Sequence, residues 1–174
     1  MAETKLSKAQ RFLTFTLDKE LYALDIYSVR EILDMTEITR IPQAPPFMRG
    51  VVNLRGNAVP VMDLRQRFNL EPTANTVNTR IIIIELSEGN DILLMGALAD
   101  SVKEVIELDA GNMDPPPRMG SKIGTEFITG IGKQNGKFVI LLDVGKVFAT
   151  ESLRHAANLA DGILEEINKN ETVT

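Results

Sequence analysis

Asp63 and Asp143 are the first pair of residues in this sequence that could do chemistry together. Two carboxylates held at a fixed distance can serve as general acid and base. They occupy equivalent places in two similar stretches, MDLRQRF and LDVGKVF, each just ahead of a short helical pattern. An aspartate there accepts hydrogen bonds from the first backbone amides of a helix, so the capping role accounts for both copies. The single histidine, His155, has no neighbouring second ligand to build a metal site, and a serine triad would have to rest on it alone. There is no cysteine, hence no disulfide, thiolate site or cysteine nucleophile. Neither a phosphate-binding loop nor a dinucleotide fingerprint occurs. No cofactor or metal is implied, and the residues point away from an enzyme.

What remains is a cluster of cations. Residues 49–67 hold Arg49, Arg55, Arg65 and Arg67 against Asp63 alone, in a chain whose net charge is −5. Such a patch is either a solvated face or a site for an anionic polymer such as RNA. The overall acidity and the lack of interleaved aromatics work against nucleic acid.

These residues sit on an internal repeat. FMRGVVNLRGNAVPVMDLRQRF (47–68) aligns without a gap with FITGIGKQNGKFVILLDVGKVF (127–148), a constant offset of 80 residues, and SVREIL (28–33) matches SVKEVI (101–106). In each copy a first hairpin is predicted from runs of β-formers around a polar turn, DKE in one and SEGND in the other. Proline clusters, IPQAPP and MDPPP, then enforce extended connections. A second hairpin follows, with Gly56 and Asn57 as the expected turn in the first copy. Five or so short strands per copy suit a small closed barrel without long exposed edges. Gly50 and Gly130, inside strand-like runs, mark bends or bulges.

The expected fold is therefore all-β with short helices: two tandem β-barrels, followed by a C-terminal helix. Residues 1–10 form a tail and 11–150 one domain, with 11–75 and 76–150 as the two barrel repeats. Residues 151–174 form the helix and a second tail, with Leu153, Ala157, Ala160, Leu164 and Ile167 at helical spacing. The N-terminus lacks the apolar run of a signal peptide and no stretch is long and apolar enough to span a bilayer, so a cytoplasmic protein is expected.

Over residues 10–150 these motifs, in order, resemble the CheW family of bacterial chemotaxis coupling proteins, through FLTFTLDKELYALDIYSVREIL, IPQAPPFMRGVVNLRGNAVPVMDLR, SVKEVIEL and EFITGIGKQNGKFVILLDV. The same domain also occurs in the chemotaxis kinase CheA and in the coupling protein CheV. The resemblance implies two SH3-like or OB-like barrels with an apolar seam between them, and strands that can be exchanged between barrels. It implies a non-enzymatic adaptor between chemoreceptor cytoplasmic tips and the regulatory domain of the histidine kinase CheA. Rings with further coupling-protein copies follow from pseudo-symmetric barrel ends, with membrane arrays reached only through partners.

Carried over residue by residue, the resemblance places Arg55 and Glu31 as a surface pair at the assembly face. It places Ile26, Val29, Arg49, Gly50 and Val102 in a receptor groove, where core packing of Val29 and Val102 is the equal alternative. Asn57, Ala58 and Val59, near the hairpin tip, are the kinase candidates. The competing readings are a stand-alone barrel binding RNA or another polymer through Arg49, Arg55, Arg65 and Arg67, and a small hydrolase dependent on His155.

Overall fold

Strand-forming residues and two-residue turns account for most of the molecule. The structure, a computed structural model, describes residues 9–116 and 126–148 of the 174-residue chain. The helix expected over 151–174, with His155, lies outside the described residues.

The chain begins with β1 (Gln10–Leu17) and β2 (Glu20–Asp25), turning at Asp18 and Lys19. A 3-10 turn over Ile26–Ser28 is capped by the Asp25 side chain and leads into β3 (Val29–Asp34). Then come β4 (Met48–Leu54), β5 (Asn57–Asp63) and the short helix α1 (Leu64–Arg67). The second copy supplies β6 (Arg80–Glu88), β7 (Asp91–Ala99), β8 (Ser101–Leu108) and β9 (Met113–Asp114). It ends with β10 (Ile128–Gln134), β11 (Lys137–Leu142) and α2 (Val144–Phe148).

These strands form two sheets, in the orders β8-β1-β2-β11-β10-β9 and β3-β6-β7-β5-β4. Each sheet takes its first hairpin from the other half of the chain. β1–β2 joins β8 to β11 through a parallel pairing of β2 with β11, and β6–β7 joins β3 to β5 through a parallel pairing of β7 with β5. The 11–75 and 76–150 halves are thus not the spatial units: a whole hairpin has been exchanged.

Three apolar clusters result. One fills the first barrel, with Val52, Val59, Val61, Ile81, Ile83 and Leu98, and another fills the second, with Phe12, Ile106, Leu108, Val139 and Leu141. The largest lies between the sheets, with Phe15, Leu17 and Leu24 from one and Met62, Ile82 and Ile84 from the other. β6 separates two of these environments by simple alternation, Ile81 and Ile83 facing the barrel and Ile82 and Ile84 the seam.

The barrels close by the same device in each copy. Thr39 bridges to Val51, and Asp114 pairs with Ile131, its repeat equivalent. The crossing strand passes so near Gly50 and Gly130 that an added Cβ would lie 2.1 Å from the Thr39 carbonyl oxygen and 2.6 Å from that of Asp114.

Arg67 is built into the seam. Its guanidinium carbon lies 5.0 Å from the ring centre of Phe47 and 4.5 Å from that of Phe127, which are repeat equivalents, and Nε donates to the Val147 carbonyl at 3.3 Å. Burial lowers the Arg67 pKa, and its Nη2 has no acceptor among the described residues. The stem and stacked plane therefore matter more than the charge. Arg67→Met is expected to shift unfolding stability by no more than about 1 kcal/mol. Arg67→Ala, which removes the packing, is expected to cost about 2–3 kcal/mol. Urea denaturation of the two variants checks this, and an equal loss in both would restore the charge as the main contributor.

Candidate functional site

The β4–β5 hairpin turns at Arg55 and Gly56, one residue earlier than the Gly-Asn turn expected from sequence. Both have positive φ, 51° and 88°, as a type I′ turn requires. The Asn53 side chain accepts a hydrogen bond from the Gly56 amide at 2.7 Å, which fixes the turn. In the second copy the same two places hold Asn135 and Gly136. Asparagine tolerates left-handed backbone well, whereas arginine has no local reason to be there. Backbone strain of this kind is kept where a side chain has a task.

That side chain crosses to β3. Arg55 Nη1 and Nη2 donate to Glu31 Oε1 and Oε2 at 3.2 and 2.8 Å, a two-pronged pair matching planar fork to carboxylate. β3 and β4 are the two outer strands of their sheet, so the pair spans its open edge. The Arg55 side chain remains 64% exposed. Its hydrogen bonds hold the Glu31 carboxyl below the usual glutamate range, and Glu31 in turn raises the Arg55 pKa. A lowered acid pKa means that the pair's contribution is complete above the ordinary glutamate value of about 4.3 and is lost as pH falls through the lower folded value. The equivalent residues of the second copy, Glu104 and Asn135, make no such pair.

Ile26, Val29 and Val102 are half-buried and pack against the seam cluster. Val29 lies beside Ile84 in its ladder and Val102 beside Phe15. Core packing and partial exposure therefore hold together for both valines, which are repeat equivalents. Beside them stands Tyr27, 88% exposed, with Ile32 at 42% on β3 and its equivalent Val105 at 50% on β8. Sequence reasoning passed over these three; for Ile32 and Val105 the apolar positions out of phase with the buried ones in SVREIL and SVKEVI were the available signal.

Three candidates stand elsewhere than expected. Val59 is 2% exposed within the first barrel, because the alternation of AVPVM turns Val59 and Val61 inward. Only Asn57 and Ala58 of the kinase trio reach the surface. Gly50 is buried against the Thr39 strand. Arg49 reaches inward, Nη2 donating to Asp63 Oδ2 at 2.7 Å and to the Thr73 carbonyl at 2.9 Å. Asp63 itself has no exposed side-chain surface. It also accepts from the Thr73 amide at 2.9 Å, the Thr73 hydroxyl at 2.6 Å and the Arg65 amide at 3.1 Å, adding the predicted cap to a larger hub.

The basic patch required for polymer binding dissolves on the same geometry. Arg65 is held on Asp100, with contacts of 3.0 and 2.8 Å, a pairing that raises its pKa. Arg49 is taken up by Asp63 and Arg67 by the seam. Of the four arginines only Arg55 is widely exposed, and it is paired. Among the described residues no group of three His, Cys, Asp or Glu side chains could hold a metal ion, and no helix is long and apolar enough to cross a membrane.

Comparison with known proteins agrees with this architecture. The model of the CheW-like domain family matches residues 11–152. A chemotaxis protein CheW from Klebsiella aerogenes is 35% identical over 151 residues, covering 87% of this chain and 89% of that protein. A chemotaxis protein CheW from Treponema pallidum is 31% identical over 153 residues, covering 86% and 88%. The crystal structure of the scaffolding protein TtCheW from Thermoanaerobacter tengcongensis superposes with a TM-score of 0.73 at 35% identity, covering 83% of this chain and 96% of that one.

Proposed function

The chain belongs to the CheW-like family of chemotaxis coupling scaffolds, and on that premise we propose that it joins the cytoplasmic tips of chemoreceptors to a CheA-type histidine kinase, with no turnover of its own. The observation that carries this reading is the Arg55–Glu31 pair: a strained turn residue, largely exposed, and oriented by a carboxylate across the sheet edge. An exposed ion pair adds little to folding, so its geometry serves a contact instead. Arginine is well suited, since its stem packs while its fork binds carboxylate.

In this reading Arg55 and Glu31 form the assembly face. The half-buried Ile26, Val29 and Val102 receive a receptor helix in a shallow apolar groove, with Arg49 and Gly50 shaping the strand behind it. Asn57 and Ala58 at the hairpin tip meet the kinase regulatory domain. The protein works in the cytoplasm and reaches the membrane only through its partners. Individually weak contacts suffice in such an assembly, because many copies act together and rings with further coupling proteins add avidity.

Co-sedimentation with a chemotaxis kinase and receptor signalling fragments tests the reading. Wild type is expected to enter a ternary complex and raise kinase activity. Arg55→Ala should lose both while its melting temperature stays close to that of wild type. Arg55→Asn, which copies the second repeat, should fold at least as stably and be equally deficient. Exchanging the charges with Glu31→Arg and Arg55→Glu should recover part of the assembly if the pair acts as a unit. A wild-type protein that binds neither partner would overturn the proposal.

A further inference from the structure

The side chain of Arg55 can reach Glu31 only if the turn that carries it keeps its shape. β3 and β4 share no ladder, so the approach of fork to carboxylate depends on where the turn points the arginine. At φ 51° its backbone is left-handed, a conformation arginine seldom adopts. A type I turn would return Arg55 to ordinary negative φ and swing its Cβ away from the present direction. That turn is the mirror image of type I′, so its central peptide faces the opposite way. Strand twist favours type I′ in any hairpin. A second hold is particular to this one: Asn53 Oδ1, on β4, accepts from the Gly56 amide at 2.7 Å and ties the central peptide in the type I′ sense.

The second copy lacks both the need and the device. At the offset of 80 residues Asn135 takes the place of Arg55, with the same φ of 51°, and asparagine tolerates that backbone unaided. Lys133 takes the place of Asn53; a lysine side chain offers no acceptor, and this one is paired with Asp114 at 3.0 Å. The side-chain acceptor thus stands in the copy whose turn residue requires support. We infer that Asn53 is a positioning residue of the assembly face, holding Arg55 left-handed so that its guanidinium crosses the open edge to Glu31. The consequence for partners rests on the coupling reading given above, whereas the geometry does not. Arg30, paired with Glu85 at 2.7 Å, is the other cation that lowers the Glu31 pKa, and it is unaffected by the turn.

Two variants of nearly equal shape test the inference, Asn53→Thr and Asn53→Val. Asn53 is exposed on a strand, where both replacements are favourable, and only threonine keeps an acceptor, a weaker one than asparagine. Carbon-detected NMR of the labelled full-length chain reads the Arg55 Cα and Cβ shifts, which report its backbone conformation, and the titration of the Glu31 carboxyl. In Asn53→Val the Arg55 shifts should leave the left-handed range. The Glu31 titration should move up toward the ordinary glutamate range, retaining only the lowering due to Arg30. Asn53→Thr should fall between valine and wild type in both readouts, and co-sedimentation with kinase and receptor fragments should decline in the same order. Wild-type shifts and titration in Asn53→Val would overturn the inference, as would equal behaviour of the two variants or loss of the fold in both. Neither NMR readout needs a partner. Graded NMR changes beside a wild-type chain that binds no partner would therefore sustain the positioning role and sink the coupling reading alone.

Discussion

Replacing Asp63 with alanine is expected to lower unfolding stability by about 3–5 kcal/mol, because it leaves the Arg49 cation and the Thr73 donors enclosed without their acceptor. Asp63 has no exposed side-chain surface and gathers Arg49, Thr73 and the Arg65 amide from strand, loop and helix. The matching change, Asp143→Ala, removes a helix cap and no other side-chain contact among the described residues, and is expected to cost about 1 kcal/mol. Urea denaturation followed by far-ultraviolet circular dichroism compares the two directly. Equal losses would mean that the buried network adds nothing beyond the cap.

The second large effect is expected at Gly50. Gly50→Ala should destabilise by about 3–4 kcal/mol, combining a strained φ with a clash against fixed backbone. Its φ is 146°, and an added Cβ would meet the Thr39 carbonyl oxygen at 2.1 Å and the Ile38 side chain at 2.9 Å. Gly56→Ala separates the two causes. Gly56 has φ 88° with nothing within 4 Å of an added Cβ, so only the backbone term of about 1–2 kcal/mol applies. Thermal or urea unfolding gives the difference between the variants. Similar losses at both glycines would show that the Thr39 strand can move aside, and that the barrel closure is softer than its geometry implies.

Much of the fold was legible because it is written twice. The two hairpins, the capping aspartates and the bends at Gly50 and Gly130 all follow from local chemistry that recurs in both copies. The hairpin exchange was not legible from spacing: β1–β2 has the same alternation whether it joins its own copy or the other, and only the packed seam decides. The turn slipped by one residue because a glycine suits either central position of a two-residue turn, and arginine is an unusual companion. Val59 was placed at the tip although the alternation with Val61 already turned it inward. The Arg55–Glu31 partnership was reached through the family resemblance, since 24 residues separate the two in sequence. No local signal marked Asp63 as a hub, because Arg49 and Thr73 reach it from 14 and 10 residues away. Likewise the apparent cluster of arginines lost its meaning once Asp100 and the seam claimed two of them.

Exchange of the hairpins makes the two barrels mechanically inseparable. Each is completed by a hairpin whose covalent continuation belongs to the other. A pull on β4 or β5 is carried by their sheet into β7, and from β7 along the chain into β8 and the opposite sheet. Tension applied to one barrel therefore reaches the other through covalent backbone as well as through the packed seam.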